Sequence, residues 1–114
     1  MNLNGLWTAE FWTGHSVGTG VAVLIDGALL GGDSGYYYTG VYAEKDGKVS
    51  GHLRIFRYAA PPQSVFGLNE FDALNIEAAA SETLILGQCY AIGPKPHRMS
   101  VKLTRVTNLP VGGR

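Results

Sequence analysis

The sequence is poor in charge and almost without cysteine. Only 16% of its 114 residues are charged, and nine basic side chains balance nine acidic ones, so the electropositive footprint needed to hold a phosphate backbone is missing. Direct nucleic-acid binding is therefore not expected. The lone Cys89 cannot close an intrachain disulfide, which suits a reducing compartment and leaves stability to the hydrophobic core. No basic cluster leads an apolar segment at the start, and no apolar run approaches the ~20 residues of a membrane helix. Neither a leader peptide nor a membrane span is expected, and the cytoplasm is the default location. Helical periodicity is missing as well. The histidines His15, His52 and His97 form no i, i+2 or i, i+4 pair that would seat a metal, and no cofactor is implied.

What is present is glycine, tyrosine and a succession of short strand-like runs. The stretch from Gly31 to Tyr42 is the most informative. Gly31-Gly32-Asp33-Ser34-Gly35 reads as a tight turn, since glycine accepts positive φ and Asp and Ser side chains bond nearby amides. Tyr36 to Tyr42 reads as a strand, with Gly40 leaving a gap where the chain can bend or a neighbour approach.

Before it, residues 5–13 alternate, with Trp7, Ala9 and Phe11 on the inner face and Leu6, Thr8, Glu10 and Trp12 outside. Residues 19–25 are apolar on both faces, and the reading that places Val21 and Val23 in the core leaves Ala22 and Leu24 outside. Such a strand needs cover on its outer side. Asp26-Gly27 and Asp46-Gly47 are hairpin turns. Residues 48–58 put Val49, Gly51, Leu53 and Ile55 inside. Pro61-Pro62 opens the longest irregular connection, which has room for at most a short helical turn near Ser64 to Phe66. Residues 70–79 show two competing parities, Phe71 and Ala73 against Leu74, Ile76 and Ala78, which a bulge near Asp72 and Ala73 would reconcile. Residues 83–92 are read with Leu84, Leu86, Tyr90 and Ile92 inward. Residues 93–97 form a loop, and 98–108 close the series with Met99, Val101 and Leu103 inside.

About eight strands joined mostly by short turns predict a single all-β domain over residues 1–108, an antiparallel up-and-down barrel, with 109–114 as a frayed tail. Closure is preferred to an open sheet, because long apolar strands would otherwise present sticky edges, and mid-strand Gly20, Gly40, Gly51 and Gly87 can relieve the curvature. The expected core is Trp7, Phe11, Val21, Val23, Leu53, Ile55, Leu86, Val101 and Leu103.

No enzyme is expected. Gly32-Asp33-Ser34-Gly35 imitates a serine-protease motif, but that chemistry needs a histidine base, a buried carboxylate and an oxyanion hole on a scaffold roughly twice this size. Cys89, in an apolar run with no cation beside it, reads as a small buried hydrophobe. The tyrosines read as core or contact aromatics, because base stacking would need the basic surface that the chain lacks.

Gly20-Val21, Gly31-Gly32-Asp33, Tyr38-x-Gly40-x-Tyr42, Pro61-Pro62 with Ser64-Val65, and Leu103-x-Arg105 together resemble the GrlR family of small β-barrel regulators, named for a negative regulator of type III secretion. The resemblance spans nearly the whole chain. It implies a lipocalin-like barrel that forms homodimers and sequesters a protein partner such as a transcriptional activator. Gly31, Gly32, Asp33, Tyr38, Gly40 and Tyr42 are its signature. It points to the hairpin at Glu44 and Asp46 as partner-binding, although Lys45 between them interrupts the acidic run of the founding member and weakens the pull on a basic partner. A homodimer with Trp12 at the contact would cover the doubly apolar strand. The alternative is a lipocalin-like carrier holding a small apolar ligand inside the barrel.

Gly5-x-Trp7 is similar to the first-strand motif of lipocalins, in which an arginine from the last strand caps the tryptophan. First and last strands are neighbours in such a barrel, which lets Arg105 lie over Trp7 and bond backbone carbonyls at the mouth.

Overall fold

Eight strands pair in chain order and the last returns to the first. The computed structural model describes residues 1–59, 73–91 and 98–110. Its strands are β1 (Gly5–Trp12), β2 (Val17–Ile25), β3 (Ala28–Gly32), β4 (Tyr36–Lys45), β5 (Lys48–Arg57), β6 (Leu74–Ala80), β7 (Leu84–Ala91) and β8 (Arg98–Thr107). Every neighbouring pair is antiparallel, including β1 with β8, so the sheet closes as an up-and-down barrel, and no helix occurs among the described residues. This is the all-β architecture that the strand count predicts. The helical turn expected near Ser64 to Phe66, the Asp72 half of the expected bulge, the loop 93–97 and the tail from 111 lie outside the described residues, and Ala73 precedes β6 without joining it.

The two Asp-Gly turns have positive φ at both central residues, +50° and +85° at Asp26 and Gly27 and +54° and +79° at Asp46 and Gly47. That conformation matches the twist of the strands it joins. The turn before β4 is narrower than expected. Gly31 and Gly32 belong to β3, where they pair with Ala22 and Val21 on one side and Tyr38 and Tyr37 on the other. A bond from the Asp33 amide to the Tyr36 carbonyl then closes the turn over Ser34 and Gly35 alone.

Two strands face the other way from the sequence reading. On β2, Ala22 and Leu24 are buried, whereas Val21 is 51% exposed and Val23 is half-buried. On β7, Ile85, Cys89 and Ala91 point inward, leaving Leu84 and Leu86 exposed, with Leu86 at 48%; Tyr90 shares the outer parity, and Ile92 lies outside the described residues. The reason is register. Residues opposite one another across an antiparallel pair share a face, and Trp7 sits opposite Ala22 while Leu103 sits opposite Ile85. The inward residues of β1 and β8 therefore decide the parity of strands that are apolar on both sides. Of the remaining expected core, Trp7, Leu53, Val101 and Leu103 are buried, and Phe11 and Ile55 pack partly buried against them.

The glycines of the inner face are where strands approach most closely. A Cβ on Gly40 would stand 2.1 Å from the His52 carbonyl oxygen and 2.7 Å from the Leu53 side chain. Leu53 thus fills the gap between Tyr38 and Tyr42, which explains a Tyr-x-Gly-x-Tyr pattern without any chemistry.

Candidate interaction surface

The end of the barrel near the chain start is sealed by Trp7 and Arg105. Trp7 is fully buried, and its indole N–H donates to the Leu3 carbonyl at 2.9 Å. The Arg105 guanidinium carbon lies 4.7 Å from the centre of the Trp7 ring. Its nitrogens donate to the carbonyls of Asn4 and Asn2, each at 2.7 Å, and to that of Glu82. The inner-face charge is therefore matched by backbone oxygens at the rim. Val106 is the extra residue of a bulge, because Trp7 pairs with Arg105 while Leu6 pairs with Thr107. Asn4 completes the seal by exchanging two hydrogen bonds with Asp26 across the mouth.

Beside this seal a hollow of about 500 Å³ opens between the first four residues, the Asp26-Gly27 turn and Tyr42 and Glu44. Its walls are mostly polar, which does not suit an apolar ligand. Burial raises the Tyr42 phenol above its ordinary pKa.

At the opposite end Asp33 organises the turn. One carboxylate oxygen accepts from the amides of Gly35 and Tyr36, both at 2.9 Å, and the other accepts from the Tyr38 hydroxyl. The Tyr58 hydroxyl donates to the Asp33 carbonyl. Desolvation, then the bond to Asp33, pushes the Tyr38 phenol well above its ordinary range. Ser34 is exposed on the turn. The carboxylate beside it serves to hold backbone amides, and Asp33, Tyr38, Gly31, Gly32, Gly40 and Tyr42 together read as the framework of one hairpin. Cys89 is buried, and desolvation moves its thiol up to about 12.

The outer surface carries the more informative feature. β2, β3 and β4 turn Val17, Val21, Ile25, Leu30 and Val41 toward solvent, at 76, 51, 37, 50 and 59% exposure. Register makes Val21, Ile25, Leu30 and Val41 contiguous, since Val23 faces Leu30, Ile25 faces Ala28, and Ala28 faces Val41, while Val17 stands beyond Thr19 at the other end of β2. No charged side chain interrupts β2 or β3. Trp12 is half-buried at the edge of this face, directly across from Val17.

The acidic hairpin is less available than its sequence suggests. Glu44 turns to the inner side, accepts from the Gly47 amide at 2.9 Å and lies 3.6 Å from the Met1 amine. Asp46 is exposed at the turn. Of the histidines, His15 and His52 are both exposed, His52 against Asn75, and His97 lies outside the described residues. No group of three or more metal-ligating side chains occurs among the described residues.

The part played by Asn2 and Asn4 escapes sequence reasoning, because the Asn4 side chain meets Asp26 across 22 residues and the Asn2 and Asn4 carbonyls meet an arginine near the other end of the chain. The apolar outer face does leave a trace, in a strand with no polar side to its alternation. No protein-family model matches the chain, and no characterised protein sequence matches it.

Proposed function

We propose that the chain is a non-enzymatic regulatory barrel of the GrlR kind, which forms a homodimer and acts in the cytoplasm by binding a protein partner such as a transcriptional activator. The observation that carries this reading is the continuous apolar face over β2, β3 and β4, exposed on a barrel whose interior already holds a core of buried side chains. Large contiguous apolar patches on a monomer's surface mark sites of association. The face is built from two hairpins in sequence, so a second copy related by a two-fold axis can present the same surface to it. Asp33, Tyr38 and Arg105 are engaged in holding the turn and closing the barrel.

Light scattering of the purified chain at micromolar concentration should give twice the monomer mass. Tagged protein recovered from native lysate should bring down a DNA-binding regulator in stoichiometric amount. A monomer mass with no such regulator recovered would sink the proposal.

A further inference from the structure

The chain is neutral overall, yet its charge is not evenly spread. β5 carries Lys48, His52 and Arg54 on its outer face and has no carboxylate, while Arg57, opposite the buried Tyr36, has the inner parity. Lys45 of β4 stands directly across from Lys48, and like charges so placed are unfavourable unless something answers them. The outer faces of the two neighbouring strands contribute a single carboxylate, Glu77, across from Ser50. Among the described residues none of these cations is in an ion pair.

At the far end of the same strip the cations meet exposed rings. Tyr37 stacks on Phe56 with centroids 5.1 Å apart, Tyr58 lies 6.2 Å from Tyr37, and the Arg54 guanidinium sits 5.4 Å from the centre of Phe56. Tyr37 and Tyr58 are exposed. Tyrosine and arginine gathered on one patch are the residues that dominate protein interfaces, where an aromatic anchor supplies area and arginine grips carboxylates.

We propose that this outer strip of β4 and β5, and not the Glu44–Asp46 hairpin, is where the partner docks, and that the docking segment is an extended acidic stretch with aromatic or aliphatic side chains. The inference rests on the reading of the chain as a partner-binding regulator and reverses the sign of the partner's charge. From Lys48 to Arg54 the strip runs ~20 Å at ~3.3 Å per residue, which about six extended residues of a partner would span. Acidic side chains at alternate positions would then meet the outward cations, because both chains repeat every two residues. A polypeptide fits better than single-stranded nucleic acid. Bases need open ring faces to stack on, and here Tyr37 has Phe56 and Tyr58 beside it while Phe56 has Tyr37 and the Arg54 guanidinium.

The test uses the full chain and a fluorescein-labelled peptide of roughly ten residues alternating Glu with Tyr or Leu, read by anisotropy. Saturable binding is expected, weakened about tenfold or more by Arg54→Glu and less by Arg54→Gln, and falling with salt. Lys102→Glu on β8 makes the same charge change elsewhere on the barrel and should leave binding within about twofold. No saturable binding, equal weakening by Arg54→Glu and Lys102→Glu, or preference for a Lys-Tyr peptide or for oligothymidylate would each overturn the proposal. If Arg54→Glu melts early, Arg54→Gln carries the comparison alone. The mass of the wild-type chain by light scattering distinguishes the two levels. A dimer that ignores the acidic peptide overturns the docking strip only, whereas a monomer that recovers no regulator overturns the regulatory reading.

Discussion

Arg105 shows how a charge can belong to a hydrophobic core. It has an inner-face position, but its guanidinium reaches the rim, where carbonyls of Asn2, Asn4 and Glu82 accept its protons and the Trp7 ring lies beneath it. The ring contact contributes ~0.5–2 kcal/mol. Arg105→Ala should lower the melting temperature by roughly 5–10 °C while leaving any dimer intact, since about 1 kcal/mol is worth several degrees in a domain of this size. Arg105→Lys should recover little, because one ammonium cannot bridge three carbonyls from a planar fork. Calorimetry of the two variants checks both statements. Cys89 gives a second expectation. Below about pH 9 its thiol is protonated in folded and unfolded chains alike; above that the unfolded chain loses the proton while the buried thiol keeps it until about 12. The folded state therefore loses stability across that window, by up to ~1.4 kcal/mol per pH unit, and the raised Tyr38 and Tyr42 phenols add to the loss from about pH 10 upward. Melting curves from pH 8 to about 11 should fall, and Cys89→Ala should flatten the first part of that fall.

At the scale of strands, small residues decide how tightly the barrel can close. Gly87 lies where a Cβ would meet the Glu77 carbonyl oxygen at 2.1 Å and the Ala78 Cα at 2.4 Å. These are backbone atoms of a paired strand and cannot swing aside. Gly87→Ala should thus force β6 and β7 apart and cost several kcal/mol, on the order of 3 or more, or prevent folding. Gly14→Ala meets nothing within 4 Å and should change the melting temperature by no more than a degree or two. Urea titration of both variants measures the difference, and comparable stabilities would show that the close approach at Gly87 relaxes without cost.

For the molecule as a whole, the proposed dimer removes the face of β2, β3 and β4 from water. Leu30 lies near its middle, half exposed and opposite Val23. Leu30→Glu puts a carboxylate into a surface that a dimer would remove from water, where an unpaired charge is strongly unfavourable. The variant should run at monomer mass in light scattering while keeping the β spectrum of the wild type. The melting temperature of the wild type should rise with protein concentration, and that of Leu30→Glu should not, because mass action stabilises only a chain that associates. Dimer mass retained in Leu30→Glu would place the contact elsewhere, with Trp12 and β1 the next surface to alter.

The sequence by itself determined the number of strands, their order and most of their turns, because alternation, Asp-Gly pairs and the absence of helical period are local properties. It also determined the inner faces of β1, β5 and β8, where polar residues mark the outside. It could not orient β2 or β7. Both faces of those strands are apolar, so local pattern is silent and the choice falls to pairing, which sets Ala22 opposite Trp7 and Ile85 opposite Leu103. That one decision turns Val21, Leu86 and their neighbours from core into surface. The availability of Glu44 and the gathering of Tyr37, Arg54, Phe56 and Tyr58 were likewise decided by tertiary structure, since each depends on residues brought together from different strands.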